Sequence, residues 1–100
     1  MAQVFHFGPF FWASSPGLPP GAEHSWSWGP NPGFERSVLV ATAHPEPGFD
    51  APIREERRLT VTMIQSHRTP TDAHFVHVFV RNVGPQPVGW YSLSLSAINP

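Results

Sequence analysis

Prolines and glycines interrupt this chain so often that only short segments of regular structure fit between them. The 100 residues include 13 prolines and 8 glycines, which cluster in runs such as SSPGLPPG, WGPNPG and VGPQPVG. Proline lacks a backbone donor and glycine loses the most conformational freedom on folding, so neither suits the interior of a helix or strand. Between these runs apolar residues recur at every second position, which is the period of a β-strand.

This pattern predicts an all-β fold. Strands are expected near residues 2–7, 23–28, 35–43, 57–66, 74–82 and 89–97, with a further short one at 10–13. Short strands separated by turn signals are typical of an antiparallel sandwich. We therefore predict one domain, 1–100, built as a single antiparallel β-sandwich of six to eight strands with Pro/Gly-rich loops. The turns HRTPTDA and VGPQPVG are expected to close two successive hairpins from the last three strands.

Alternation also assigns side chains to the two faces of each predicted strand. The last strand contains YSLSLSA, whose three serines lie opposite an apolar set, namely Tyr91, Leu93, Leu95 and Ala97. In RRLTVTMIQS the expected apolar set is Leu59, Val61 and Met63. The segment HFVHVFV is apolar on both faces, because its three valines lie opposite Phe75, His77 and Phe79.

The C-terminal part of the chain, about 57–98, resembles the closing strands of immunoglobulin-like β-sandwich modules of the bacterial surface and adhesion type. The resemblance rests on HVFVRNVGPQPVGWYSLSLSAI, in which an apolar strand ends in Arg-Asn, turns through Gly and Pro, and returns as an alternating strand. It implies an immunoglobulin-like fold and brings no functional residue with it. The N-terminal half resembles no specific family.

Composition argues against several functions. The formal net charge is −1 and there is no lysine, so the chain lacks the clustered positive charge that nucleic-acid binding needs. Without cysteine there is no disulfide or thiolate metal site. No Gly-x-Ser-x-Gly motif, phosphate-binding glycine loop or evident pair of catalytic carboxylates is present, so we predict a protein that is not an enzyme and needs no cofactor.

The N-terminus has no basic segment before its apolar stretch, and no stretch approaches the roughly 20 apolar residues of a membrane helix. We therefore expect neither a signal peptide nor membrane insertion. The compartment stays unknown, with a cytoplasmic location and export by a leaderless route both open.

The segment HSWSWGP places His24, Trp26 and Trp28 on one strand face. Three interpretations are open for this aromatic strip: the core of a small domain without cysteines, a platform for sugar rings, or a contact with another copy. The core is favoured, because each tryptophan can bury about 150–250 Å². The sugar interpretation predicts a small lectin-like carbohydrate-binding module that uses surface tryptophans, the candidates being Trp12, Trp26, Trp28 and Trp90.

Self-association is the function that the sequence favours. A strand that is apolar on both faces needs a second cover, and charged residues are only 13% of the chain against about 25% in typical domains. We predict a non-catalytic structural protein that forms a homo-oligomer, filament, tube or shell through aromatic faces and edge strands. Residues 1–22 are expected to pack on or pair with a neighbouring subunit. The interface candidates are Phe5, Phe7, Phe10, Phe11, Trp12, Phe75, His77 and Phe79.

No metal site is predicted from the six histidines. The best alternative is a set around the turn HRTPTDA, in which His67 and His74, with Asp72, could face each other across a hairpin. Imidazole nitrogens and a carboxylate would suit zinc or nickel. The competing interpretation is that these are polar residues around an exposed turn.

Overall fold

The computed structural model describes residues 3–31, 34–47 and 55–99. Within these ranges there is no α-helix, and the strands are β1 Gln3–Leu18, β2 Glu23–Trp28, β3 Val38–Pro45, β4 Leu59–Arg68, β5 His74–Asn82 and β6 Val88–Asn99. They form two antiparallel sheets: sheet 1 has the order β1-β6-β3, and sheet 2 has the order β2-β5-β4. The predicted all-β class and antiparallel pairing are confirmed. Residue 2, where the first strand is expected to begin, lies outside the described residues.

The core lies between the two central strands, β5 and β6. The three valines of β5, Val76, Val78 and Val80, are 0% exposed, as is the alternating apolar set of β6, comprising Tyr91, Leu93, Leu95 and Ala97. These residues form one buried cluster with side chains from both sheets around it. The alternation in the sequence therefore separated the two faces of both central strands correctly, and the architecture is that of a β-sandwich.

Strand β1 is longer than expected, because the predicted segments 2–7 and 10–13 belong to one strand. Its pairing with β6 shifts between Phe7 and Phe10, where Gly8 and Pro9 form an irregularity. Gly8 has φ +103°, and a Cβ there would lie 2.9 Å from the carbonyl oxygen of Leu93. The shift places Phe10 in register with inward-facing Leu93 and leaves Phe11 facing outward. Prolines are tolerated here because β1 is an edge strand.

The predicted hairpin between β4 and β5 is confirmed, with the backbone of Thr69 and Asp72 closing its turn. The predicted hairpin between β5 and β6 is wrong, because each strand is the centre of a different sheet. The segment between them crosses from sheet 2 to sheet 1. The fully buried side chain of Asn82 stabilises this crossing by donating hydrogen bonds to the backbone carbonyls of Leu18 and Gln86.

Strand β4 departs from strict alternation at one point. Its pairing with β5 shifts between Val61 and Met63, so Leu59, Val61 and Ile64 pack against the core while Met63 is 47% exposed. The expected inward position of Met63 is therefore wrong. A bulge adds one residue to the strand and moves the following side chains to the opposite face.

Candidate functional site

The aromatic strip of β2 faces the other sheet. His24, Trp26 and Trp28 are half-buried, whereas Ser25 and Ser27 are exposed. Both tryptophans pack against the buried cluster. Because these rings bridge the two sheets, the structure supports the interpretation of the strip as core.

Tyr91 is the polar centre of this region. Its hydroxyl accepts a hydrogen bond from Trp26 Nε1 at 2.8 Å and lies 2.9 Å from His24 Nδ1. The Trp12 ring meets His24 edge-on, with 4.4 Å between ring centroids. Burial raises the pKa of Tyr91, although the Trp26 hydrogen bond opposes this, and burial lowers the pKa of His24. Burial thus favours the neutral form of both side chains, of Tyr91 within the core and of half-buried His24 beside it.

An open depression of about 520 Å³ lies beside this cluster, lined by Trp12, Glu23, His24, Ser25 and Trp26. Two of the four tryptophans proposed for sugar binding thus share one surface with a carboxylate and a hydroxyl. The other two lie elsewhere. Trp28 stacks on Trp26, with 6.2 Å between centroids, and Trp90 lies on the outer face of sheet 1, 6.3 Å from Phe11.

The five aromatic interface candidates on β1 do not share one face. Phe5, Phe7, Phe10 and Trp12 are in register with inward-facing residues of β6, whereas Phe11 is in register with outward-facing Ser92. Phe7 lies 5.3 Å from Phe34, and Phe10 lies 5.6 Å from Trp28. Phe5 is 39% exposed at one end of the strand, and Phe11 is 57% exposed on the outer face. Of the five, Phe11 offers the largest exposed fraction to a partner.

The outer face of sheet 1 carries no formal charge. None of the three strands of this sheet contains Asp, Glu, Lys or Arg. Its most exposed apolar side chains are Val4 at 49%, Phe11 at 57%, Val38 at 61% and Val40 at 48%. We call this surface the uncharged face; it comprises Val4, His6, Phe11, Ala13, Val38, Val40, Thr42, His44, Trp90, Ser92, Ser94, Ser96 and Ile98.

The valines of the uncharged face are not among the interface candidates chosen from the sequence. The segment SVLVATA is apolar on both faces in the same way as HFVHVFV, so the signal was present. The sequence pattern does not show which residues of neighbouring strands lie side by side, but the observed register does. Val4 and Val38 flank Ile98 from opposite sides and form a row across all three strands. Residues 1–22 are expected from the sequence to pack on or pair with a neighbouring subunit. Their strand β1 pairs with β6 of its own chain.

The outer face of sheet 2 contains the remaining interface candidates. Phe75, His77 and Phe79 are half-buried there, beside exposed Met63. Charged residues lie at the ends of this sheet. Arg81 is 3.6 Å from Glu23 at one end.

At the other end of sheet 2, Arg68 donates to both carboxylate oxygens of Glu35, at 2.8 and 2.6 Å. The Arg68 hydrogen bond holds the pKa of Glu35 below its ordinary value. Sheet 2 is therefore flanked by ion pairs, whereas the strands of sheet 1 have no charged residue.

The structure does not bring together the histidines considered as metal ligands. His67 is in register with outward-facing Phe75, whereas His74 is in register with Arg68 and points to the inner face. His74 is buried against Ser66 and Phe34. Asp72 lies in the turn with φ +65°. Among the described residues, no group of three or more His, Cys, Asp or Glu side chains is arranged to hold a metal ion.

Comparisons of the chain with protein-family models, with curated proteins and with solved structures gave no match. In residues 3–31, 34–47 and 55–99 we find no helix of the length and hydrophobicity needed to cross a membrane.

Proposed function

We propose that this protein is a non-catalytic structural protein whose copies self-associate through the uncharged face. The observation that carries the proposal is the absence of any charged residue from all three strands of sheet 1. Two copies can bury such a face without desolvating a charge, a step that otherwise costs several kcal/mol per ion. Val4, Ile98 and Val38 form an apolar row across this face, and apolar patches on a protein surface are common at interaction sites.

The edges of sheet 1 support the same function. Proteins that stay monomeric commonly protect edge strands with charged side chains, especially lysine. The edge strands β1 and β3 have none. The edge β1 is protected by Pro9, Pro16 and its shifts in register, but residues 38–44 of β3 have no proline and no such shift. Pairing along this part of β3 can therefore add backbone hydrogen bonds to the packing of Val38 and Val40 against a second copy.

The kind of assembly depends on whether a second apolar surface also takes part in contacts between copies. If only the uncharged face is used, two copies meet about a two-fold axis and the assembly closes as a dimer. If the outer face of sheet 2 also takes part, through Phe75 and Phe79, each copy has two different contacts and the assembly extends. The immunoglobulin-like character of the sandwich remains a proposal that rests on the resemblance of residues 57–98.

The test is analytical ultracentrifugation at micromolar concentration. We expect wild-type protein to sediment as more than a monomer and Val40→Lys to sediment as a folded monomer. Val83→Lys is the matched control, because Val83 is 53% exposed but lies outside the strands. The Phe79→Asp variant distinguishes a closed dimer from an extended assembly, because it should leave a dimer intact and shorten an extended assembly. A wild-type monomer at every concentration would refute self-association.

The depression beside Tyr91 favours a second candidate function, carbohydrate binding. Its two indole rings, Trp12 and Trp26, offer flat apolar surfaces, and Glu23 and Ser25 can hydrogen-bond to sugar hydroxyls. Titration of the protein with a panel of oligosaccharides, followed by tryptophan fluorescence, tests this. Saturable quenching that is lost in Glu23→Gln and kept in Glu46→Gln would support it. The absence of quenching with every sugar would remove it.

A further inference from the structure

The outer face of sheet 2 contains a pair of histidines that face each other. His67 on β4 and His77 on β5 are diagonal neighbours, and Nδ1 of His67 lies 3.2 Å from Nε2 of His77. The two rings are 5.4 Å apart at their centroids and are inclined by 32°. His67 is exposed and His77 is half-buried, so solvent reaches the pair.

The distance between these two nitrogens suits a shared metal ion. Zinc–imidazole bonds are about 2.0–2.1 Å long, so two cis nitrogens on one ion lie about 2.9–3.4 Å apart. The observed separation of 3.2 Å falls within that range. A neutral pair at this distance needs a proton between the two lone pairs. A metal ion can replace that proton when His67 carries its hydrogen on the other ring nitrogen.

A third side chain orients the pair. Ser27 Oγ lies 2.7 Å from Nδ1 of His77, on the side of the ring away from His67. When Nδ1 donates to this hydroxyl, Nε2 is left unprotonated and directed at His67. In metal sites the second ring nitrogen of a ligating histidine characteristically donates a hydrogen bond, and this bond fixes the tautomer and the orientation of the ring.

We propose that His67 and His77 form a two-imidazole site for a divalent transition-metal ion that prefers nitrogen ligands, such as Zn²⁺ or Ni²⁺. Water completes the coordination shell, and Ser27 acts as a positioning residue for His77. The site exists within one chain and therefore does not depend on self-association. It also differs from the set around His74, which lies on the opposite face of the sheet.

The test is a titration of untagged protein with zinc chloride or nickel chloride, followed by calorimetry and by the histidine ring signals in NMR spectra. We expect one ion per chain, with the signals of His67 and His77 changing first. His67→Gln and His77→Gln should each weaken binding about tenfold or more, because chelation by two linked ligands is lost. His44→Gln is the control, since His44 is an exposed histidine of sheet 1 and should bind as wild type.

Two results would overturn the site. One is wild-type protein that binds neither ion, and the other is a pair of variants, His67→Gln and His77→Gln, that bind as well as wild type. Ser27→Ala tests the positioning role separately. It should weaken binding about tenfold with the stoichiometry unchanged. Unchanged affinity in that variant would remove Ser27 from the site.

Discussion

Asn82 provides the sharpest test of how the two sheets are joined. Its side chain is 0% exposed, and its Nδ2 donates to the carbonyl oxygens of Leu18 and Gln86, each at 2.9 Å. Its Oδ1 accepts from the backbone N–H of Gly84, also at 2.9 Å. One amide thus ties the end of β1 to the segment that crosses from β5 to β6. We predict that Asn82→Ala strongly destabilises the fold.

The size of this destabilisation follows from the hydrogen bonds that the substitution removes. The Asn82→Ala variant loses three hydrogen bonds to backbone groups, and a typical hydrogen bond contributes about 1 kcal/mol net. The expected loss is therefore about 3 kcal/mol in the free energy of unfolding. That is a large share of the roughly 5–15 kcal/mol available to a domain of this size. It corresponds to a fall in Tm of about 12 °C or more.

The assay is urea unfolding followed by tryptophan fluorescence and by circular dichroism. Asn82→Asp is the second variant, because it keeps the acceptor for Gly84 and loses both donations. Burial raises the pKa of an introduced carboxyl, so its deficit should shrink as the pH falls and the carboxyl becomes protonated. An Asn82→Ala variant within about 0.5 kcal/mol of wild type would refute the reasoning, since that is the usual range for surface substitutions.

Three further predictions concern the aromatic cluster around Tyr91 and the irregularity of β1 at Gly8. Tyr91→Phe leaves the Trp26 N–H without its acceptor and should cost about 1–2 kcal/mol in urea unfolding, whereas unchanged stability would contradict the hydrogen-bonding account. Burial lowers the pKa of His24 in the folded state, so its contribution to stability is fully present above the unfolded-state pKa of about 6.5 and is lost as the pH falls below that value through the lowered folded-state pKa. His24→Gln should flatten this part of the curve of unfolding free energy against pH, and an equal slope in the variant would count against the prediction. Gly8→Ala should lower the free energy of unfolding by about 1–3 kcal/mol. The loss should exceed that of Gly21→Ala, because a Cβ at Gly21 meets nothing within 4 Å, whereas one at Gly8 lies 2.9 Å from the carbonyl oxygen of Leu93. Equal losses in the two variants would show that this close approach to Leu93 does not matter.

The alternation of side chains predicted faces well and strand partners poorly. It placed Leu93 and Leu95 inside because a period of two is a local property of each strand. It could not show that β5 and β6 belong to different sheets. A Gly/Pro-rich turn of a few residues suits a hairpin and a crossing equally, and the crossing observed here is stabilised by the buried amide of Asn82.

Two irregularities set side-chain positions that a strict period of two does not predict. The shift at Gly8 turns Phe10 inward and Phe11 outward, and the bulge before Met63 turns that side chain to solvent. The histidine pair was missed for a related reason. Sequence spacing suggested His67 with His74, but a displacement of one residue in register selects the opposite face, and His77 is the actual neighbour.

The two proposals are linked through the surfaces they use. If copies meet only through the uncharged face, His67 and His77 stay in solvent and the affinity for metal does not depend on protein concentration. If the assembly also uses Phe75 and Phe79, those rings lie beside the histidines, because His67 and Phe75 are 6.1 Å apart at their centroids. Metal binding and growth of the assembly then compete for the same surface, and added Zn²⁺ shortens the particles. The response of particle size to metal thus distinguishes a closed dimer from an extended assembly.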